Sequence, residues 1–152
     1  MTTDNKDTVK HLNKLIETCK DGEYGFRSCA ENTKSESLRT TFSKRAGECA
    51  EGARELQQLV VQCGGEPDTG GSATGAMHRG WVSVKGTLSG HSDQAMLDEC
   101  ERGEDAAMEA YRECLKEDLP TQVKTVVERQ YQGVKRNHDQ IRDLRNRMKA
   151  AS

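Results

Sequence analysis

Two five-residue segments, 81 positions apart, share one pattern: Cys19-Lys20-Asp21-Gly22-Glu23 and Cys100-Glu101-Arg102-Gly103-Glu104, both C-x-x-G-E. Each lies in a long run of apolar residues spaced three and four apart, the period of an α-helix with one buried face. Four residues past its cysteine, either stripe reaches a carboxylate, Glu23 or Glu104, where leucine is expected. Gly52 and Gly133 repeat the same 81-residue interval. A chain of this kind is constrained to a duplicated helical hairpin with a polar cluster inside a bundle.

The rest of the composition agrees. In 152 residues, 32% are charged and only 4% aromatic, which suits helices better than a β-sandwich. The length fits one domain, residues 1–152, with a real core. The formal charge is −2, with Lys and Arg dispersed among Asp and Glu, so nothing calls for nucleic acid. The first seven residues hold no apolar signal core, and no stretch approaches the roughly 20 apolar residues of a membrane span. A soluble cytoplasmic protein, with no membrane partner, is the expectation. Its six cysteines are then reduced thiols. None forms a C-x-x-C pair, which weakens zinc-ribbon and thioredoxin-type readings.

Four long helices are predicted. The first runs from about 7 to 31 on Val9, Leu12, Ile16, Cys19, Phe26 and Ala30. A second spans 36–63 on Leu38, Phe42, Cys49, Ala53, Leu56, Val60 and Cys63, with Thr33 and Glu36 at capping-box spacing before it. Gly64-Gly65 ends it. A crossover over 64–92 holds a glycine-rich loop, then a short helix from about 76 to 88 with Trp81 as a core plug and His78 at the surface. The third helix covers 93–116 on Leu97, Cys100, Ala107, Tyr111 and Leu115. The turn at Leu119-Pro120 opens a fourth that reaches 149 through Val123, Val127, Val134, His138, Ile141, Leu144 and Met148. The hairpins are thus 7–63 and 93–149.

Folding the second hairpin about residue 119 sets His138 level with Cys100; folding the first about residue 34 sets Cys49 level with Cys19. The interior would then offer Glu23, Glu104 and His138 as metal ligands, with Cys19, Cys49 and Cys100 nearby. A buried carboxylate needs a cation, a proton or a basic partner. His and Glu suit iron, manganese or zinc. Each member also has a plainer role: the cysteines as small hydrophobes, His138 as a hydrogen-bonded core residue. The in-helix glycines, each about 1 kcal/mol worse than alanine, point to close helix approach or room for a bound water.

On the stretches Leu12 to Gly22 (LNKLIETCKDG), Gly75 to Trp81 (GAMHRGW), Glu101 to Asp105 (ERGED) and Asn137-His138-Asp139, the chain resembles a family of small bacterial ferritin-like four-helix-bundle proteins of unknown function. The resemblance implies an all-α, ferritin-like four-helix bundle of two pseudo-repeated hairpins, with the short extra helix in the crossover. It supplies no activity. The broader ferritin-like class carries a di-iron or di-manganese site, built from one Glu on each of two helices and a Glu-x-x-His on each of the others. Glu23 and Glu104 would be the single carboxylates. Cys49 and Gly52 stand where the second helix needs Glu and His, and Lys135 precedes His138 in place of Glu. The expectation is a single weaker site for one iron, manganese or zinc ion, or no metal.

Three functions follow as expectations. One is a ferritin-like binding module using Glu23, Glu104 and His138 for a metal or small ligand. Another is a non-catalytic bundle whose polar cluster fixes helix register and whose surface docks a partner, with a homodimer compatible with the architecture. The last is a thiol redox sensor using Cys19, Cys49 and Cys100, with Lys20, Arg102 and Lys135 as the cations that would lower a thiol pKa.

Overall fold

The computed structural model describes residues 5–68 and 93–151. They form four helices: α1 (Asn5–Asn32), α2 (Glu36–Gln62), α3 (Asp93–Leu115) and α4 (Thr121–Ala151). The expected boundaries fall within two residues of these. The short helix expected over 76–88, with His78 and Trp81, lies outside the described residues.

α1 packs antiparallel on α2, and α3 on α4. α1 also lies along α3, whereas α2 and α4 barely touch. The cyclic order is therefore α1–α2–α4–α3, with α2 and α3 on a diagonal. α2 ends, and α3 begins, at opposite ends of the bundle.

The turns show local chemistry at work. Ser35, not Thr33, caps α2: its backbone is extended and its hydroxyl accepts from the Leu38 N–H. The expected Thr33 capping box does not form: Thr33 Oγ1 accepts from the Ser35 N–H at 3.2 Å and donates to Asp93 Oδ1 at 2.7 Å, tying the first turn to the start of α3. At the other end of α2, Gly64 adopts φ +81°, with Gly65 N–H on the Val60 carbonyl and Gly64 N–H on Val61. This is a Schellman cap, which glycine enters without a Cβ clash.

Two apolar clusters fill the bundle, one at each end, and all four helices contribute to both. One gathers Phe26, Leu38, Phe42, Met96, Leu97 and Ile141. The other gathers Leu12, Ile16, Leu56, Val60, Tyr111 and Val127. Between them lies a waist in which cysteines, glycines and charged groups replace the large aliphatics.

Candidate functional site

The waist is built on one local device. α1 carries Cys19-x-x-Gly22 and α2 carries Cys49-x-x-Gly52. A Cβ on Gly22 would stand 2.8 Å from Cys49 Sγ, and one on Gly52 would stand 3.4 Å from Cys19 Sγ. Each cysteine is a knob over the other helix's glycine. Cys19 is therefore level with Gly52 and not with Cys49, a correction of about one turn to the expected register. α3 repeats the device as Cys100-x-x-Gly103. α4 repeats it as Gln130-x-x-Gly133, with glutamine in the cysteine's place.

All four glycines line one cavity of about 670 Å³ that opens between α2 and α4, where the bundle is least closed. Across its inner end runs an ion pair on the α2–α3 diagonal. Arg45 Nε donates to Glu104 Oε1 at 2.7 Å, and Nη2 to Oε2 at 3.4 Å. Only 7% of Arg45 and 2% of Glu104 remain exposed, so the pair is desolvated. The Arg45 guanidinium also lies 5.5 Å above the Phe26 ring and reaches Glu48 at the rim, at 3.4 Å. Burial pushes the Glu104 carboxyl above its usual range, and Arg45 pulls it back only in part. Burial acts to lower the Arg45 pKa, but Cys49, Glu104 and Glu48 together hold it above the ordinary guanidinium value.

A second network crosses the same level and touches all four helices. Tyr111 donates its hydroxyl hydrogen to Gln130 Oε1 at 2.8 Å, so the Cys19 thiol, 3.3 Å from the phenol oxygen, is the donor there. Gln130 Nε2 then donates to Glu55 Oε1 at 2.7 Å and to the Gly52 carbonyl at 3.3 Å.

Burial opposes ionisation of the waist thiols. It raises Cys19 to about 11 and raises Cys49 further still. Cys100 is also raised, by burial and by Cys29, whose Sγ lies 3.5 Å away. The cation beside Cys19 and Cys49 is Arg45, not the expected Lys20, Arg102 or Lys135, and its charge is shared with Glu104.

The residues singled out from the sequence part company. Glu104 is in the waist, as its stripe position demanded. Glu23 is not: Gly22 takes the inward position, and Glu23 sits at the bundle edge between Lys20 at 3.6 Å and Arg27 at 2.8 Å. His138 is buried on α4, with Nε2 2.6 Å from Asp105 Oδ1 and within 4.8 Å of Glu101. Among the described residues, one group of three His, Cys, Asp or Glu side chains brings its ligand atoms within 4.8 Å of one another, and it is Glu101, Asp105 and His138.

Two groups at the cavity escaped the sequence reading, Arg45 and Gln130, as did the buried carboxylates Asp21 and Glu99. The signal was present. Arg45 lies between Phe42 and Cys49, and Gln130 between Val127 and Val134, each three from one neighbour and four from the other on its helix's inward stripe.

A family model described as a domain of unknown function (DUF2383) matches residues 7–117. No curated protein matches the chain. Among solved structures, the chain is similar to a dodecameric thioferritin, the bacterioferritin-related protein from Bacteroides fragilis, at 13% identity and TM-score 0.75, over 99% of this chain and 92% of that one. It is also similar to a mutant of Dps1 from Mycobacterium smegmatis (15%, 0.74, covering 92% and 95%). A third is the Dps protein from Vibrio cholerae O1, a member of a broad superfamily of ferritin-like diiron-carboxylate proteins (12%, 0.73, covering 93% and 91%). At such identities the likeness shows the fold: the bundle is ferritin-like.

Proposed function

The chain belongs to the DUF2383 family, a domain of unknown function, and for it we propose a binding role: the waist of the ferritin-like bundle receives a small organic molecule without net charge. The observation that carries this is the cavity lined by one glycine from each helix. Each such glycine gives up about 1 kcal/mol of helix propensity relative to alanine. At Gly133 packing does not demand it, since an added Cβ would meet only Arg136 Nη2, 3.8 Å away. A bundle that forgoes stability to stay hollow, at a volume within the roughly 300–1,000 Å³ typical of ligand pockets, is suited to holding something.

Charge selects the class of guest. Inside, Glu104 is balanced by Arg45. At the mouth, Glu48, Glu51 and Glu55 stand with Arg54, Arg129 and Arg136. The cavity's arginines and glutamates balance in number, so an entering ion would meet no net opposite charge and would carry its desolvation penalty with it. Arg45 and Glu104 instead set hydrogen-bond donors beside an acceptor, complementary to an amide or hydroxy-carbonyl edge.

The donor set does not fit the dinuclear metal centre that the word diiron-carboxylate attaches to the Vibrio cholerae protein. The one carboxylate in the inner waist is held by a guanidinium, and its nearest companions are thiols raised by burial. No step is assigned to such a centre.

The test is titration of the full chain with N-phenylnaphthylamine, a neutral fluorophore, beside anilinonaphthalene sulfonate, its anionic analogue. Saturable one-to-one binding of the neutral probe is expected, weaker binding of the anion, and loss of the neutral signal in a folded Gly133→Leu variant. Equal binding by wild type and that variant would refute the cavity as the site.

A further inference from the structure

We propose that the α3–α4 face carries a mononuclear divalent-cation site formed by Glu101, Asp105 and His138. This does not rest on the cavity reading: different side chains, a different face and a different ligand are involved.

Glu101 and Asp105 are four residues apart on α3, so their carboxylates lie one above the other on one face. His138 meets them from α4. The three ligand atoms lie within 4.8 Å of one another, close enough for side-chain rotation alone to bring them around one ion. Two carboxylate oxygens and an imidazole nitrogen suit zinc, manganese or ferrous iron.

Acidic clusters are common and mean little alone. The imidazole supplies the independent sign. His138 is 9% exposed, and its Nε2 forms no hydrogen bond, although Asp105 Oδ1 lies 2.6 Å away. A buried ring nitrogen in close contact with one carboxylate, and within 4.8 Å of a second, can turn with them onto an ion. Its other nitrogen, Nδ1, lies 3.3 Å from Asp139 Oδ1. With Asp139 taking the Nδ1 proton, Nε2 would present its lone pair to an ion that replaces its direct contact with Asp105.

One group competes. The Arg145 guanidinium pairs with Glu101 through Nη1. Its Nε already stands 3.9 Å from Asp98 Oδ1, so a second carboxylate is at hand when a cation takes Glu101. Arg145 therefore acts as the resident counterion that an entering metal must displace.

The experiment is isothermal titration of the chelator-stripped full chain with Zn(II) and Mn(II), with circular dichroism verifying the fold of every variant. One equivalent is expected to bind wild type. His138→Ala and Asp105→Asn should abolish it, and Asp139→Asn should weaken it by about tenfold, as loss of an outer-shell orienting group does. Arg145→Gln should bind more tightly than wild type, an effect that a damaged fold cannot produce. Glu23→Gln should bind as wild type does. Unchanged affinity in His138→Ala, loss of binding in Glu23→Gln, or no uptake of either ion by wild type overturns the proposal.

Discussion

Arg45 and Glu104 illustrate how a single side chain redirects the meaning of a pattern. Glu104 was legible as an inward carboxylate, because a stripe is a local property. Its partner was not, because Arg45 lies 59 residues away on a helix across the diagonal, and nothing in spacing links them. Helix periodicity places Glu23 and Glu104 alike, yet the first pairs with Lys20 and Arg27 at the bundle edge while the Arg45 guanidinium holds the second in. Removing one member of a buried pair strands the other's charge, which costs about 3–5 kcal/mol, whereas exchanging both for apolar residues of like volume is often neutral or stabilising. Arg45→Met should therefore lower unfolding free energy by that amount, and Arg45→Met with Glu104→Leu should recover most or all of it. Urea denaturation of the two singles and the double measures this; simple additivity would show that the pair does not interact.

The helices themselves were the most legible level. Apolar positions at the helical period, Gly64-Gly65 after α2 and Pro120 before α4 each act within a turn of chain, so their consequences follow locally. Register was less so. The α1–α2 hairpin settles with Cys19 opposite Gly52 and Cys49 opposite Gly22, since only there can sulfur fit over bare backbone. Two glycines of one motif should consequently respond oppositely. Gly22→Ala places a methyl against Cys49 Sγ and should destabilise by about 1–3 kcal/mol, the usual overpacking range. Gly133→Ala meets only Arg136 Nη2, at ordinary van der Waals distance, and should stabilise by up to about 1 kcal/mol. Thermal melts in parallel decide; destabilisation by both would mean that Gly133 also packs tightly. The helices also differ in charge. α3 holds eight acidic and two basic residues, α4 three acidic and eight basic. Their pairing is favoured electrostatically beyond any one bridge, though exposed pairs are individually worth little.

At the scale of the molecule, two apolar clusters flank a polar waist, and each draws on all four helices. Neither half can melt without dislodging every helix, so the bundle should unfold in one transition. Phe42→Ala at one end should cost about 3–5 kcal/mol and Leu56→Ala at the other about 2–5 kcal/mol. The two should add, being separated by the waist. Coincident fluorescence and circular dichroism transitions in both variants are the expected result; separate transitions would mark the waist as a boundary between independent units. Among the described residues, Val61 is the one large hydrophobic left exposed, and no helix is long and apolar enough to cross a membrane.

By itself the sequence determined four amphipathic helices, their ends, the two-hairpin plan and the presence of polar groups on buried faces, all consequences of a 3.6-residue period and of cap chemistry acting over a few residues. Only the tertiary structure decided which polar group meets which: Arg45 with Glu104, Gln130 with Tyr111 and Glu55, His138 with Asp105. Those meetings depend on register and on the choice of diagonal, and both are set by how side chains from distant segments fill shared space, a quantity no single helix contains.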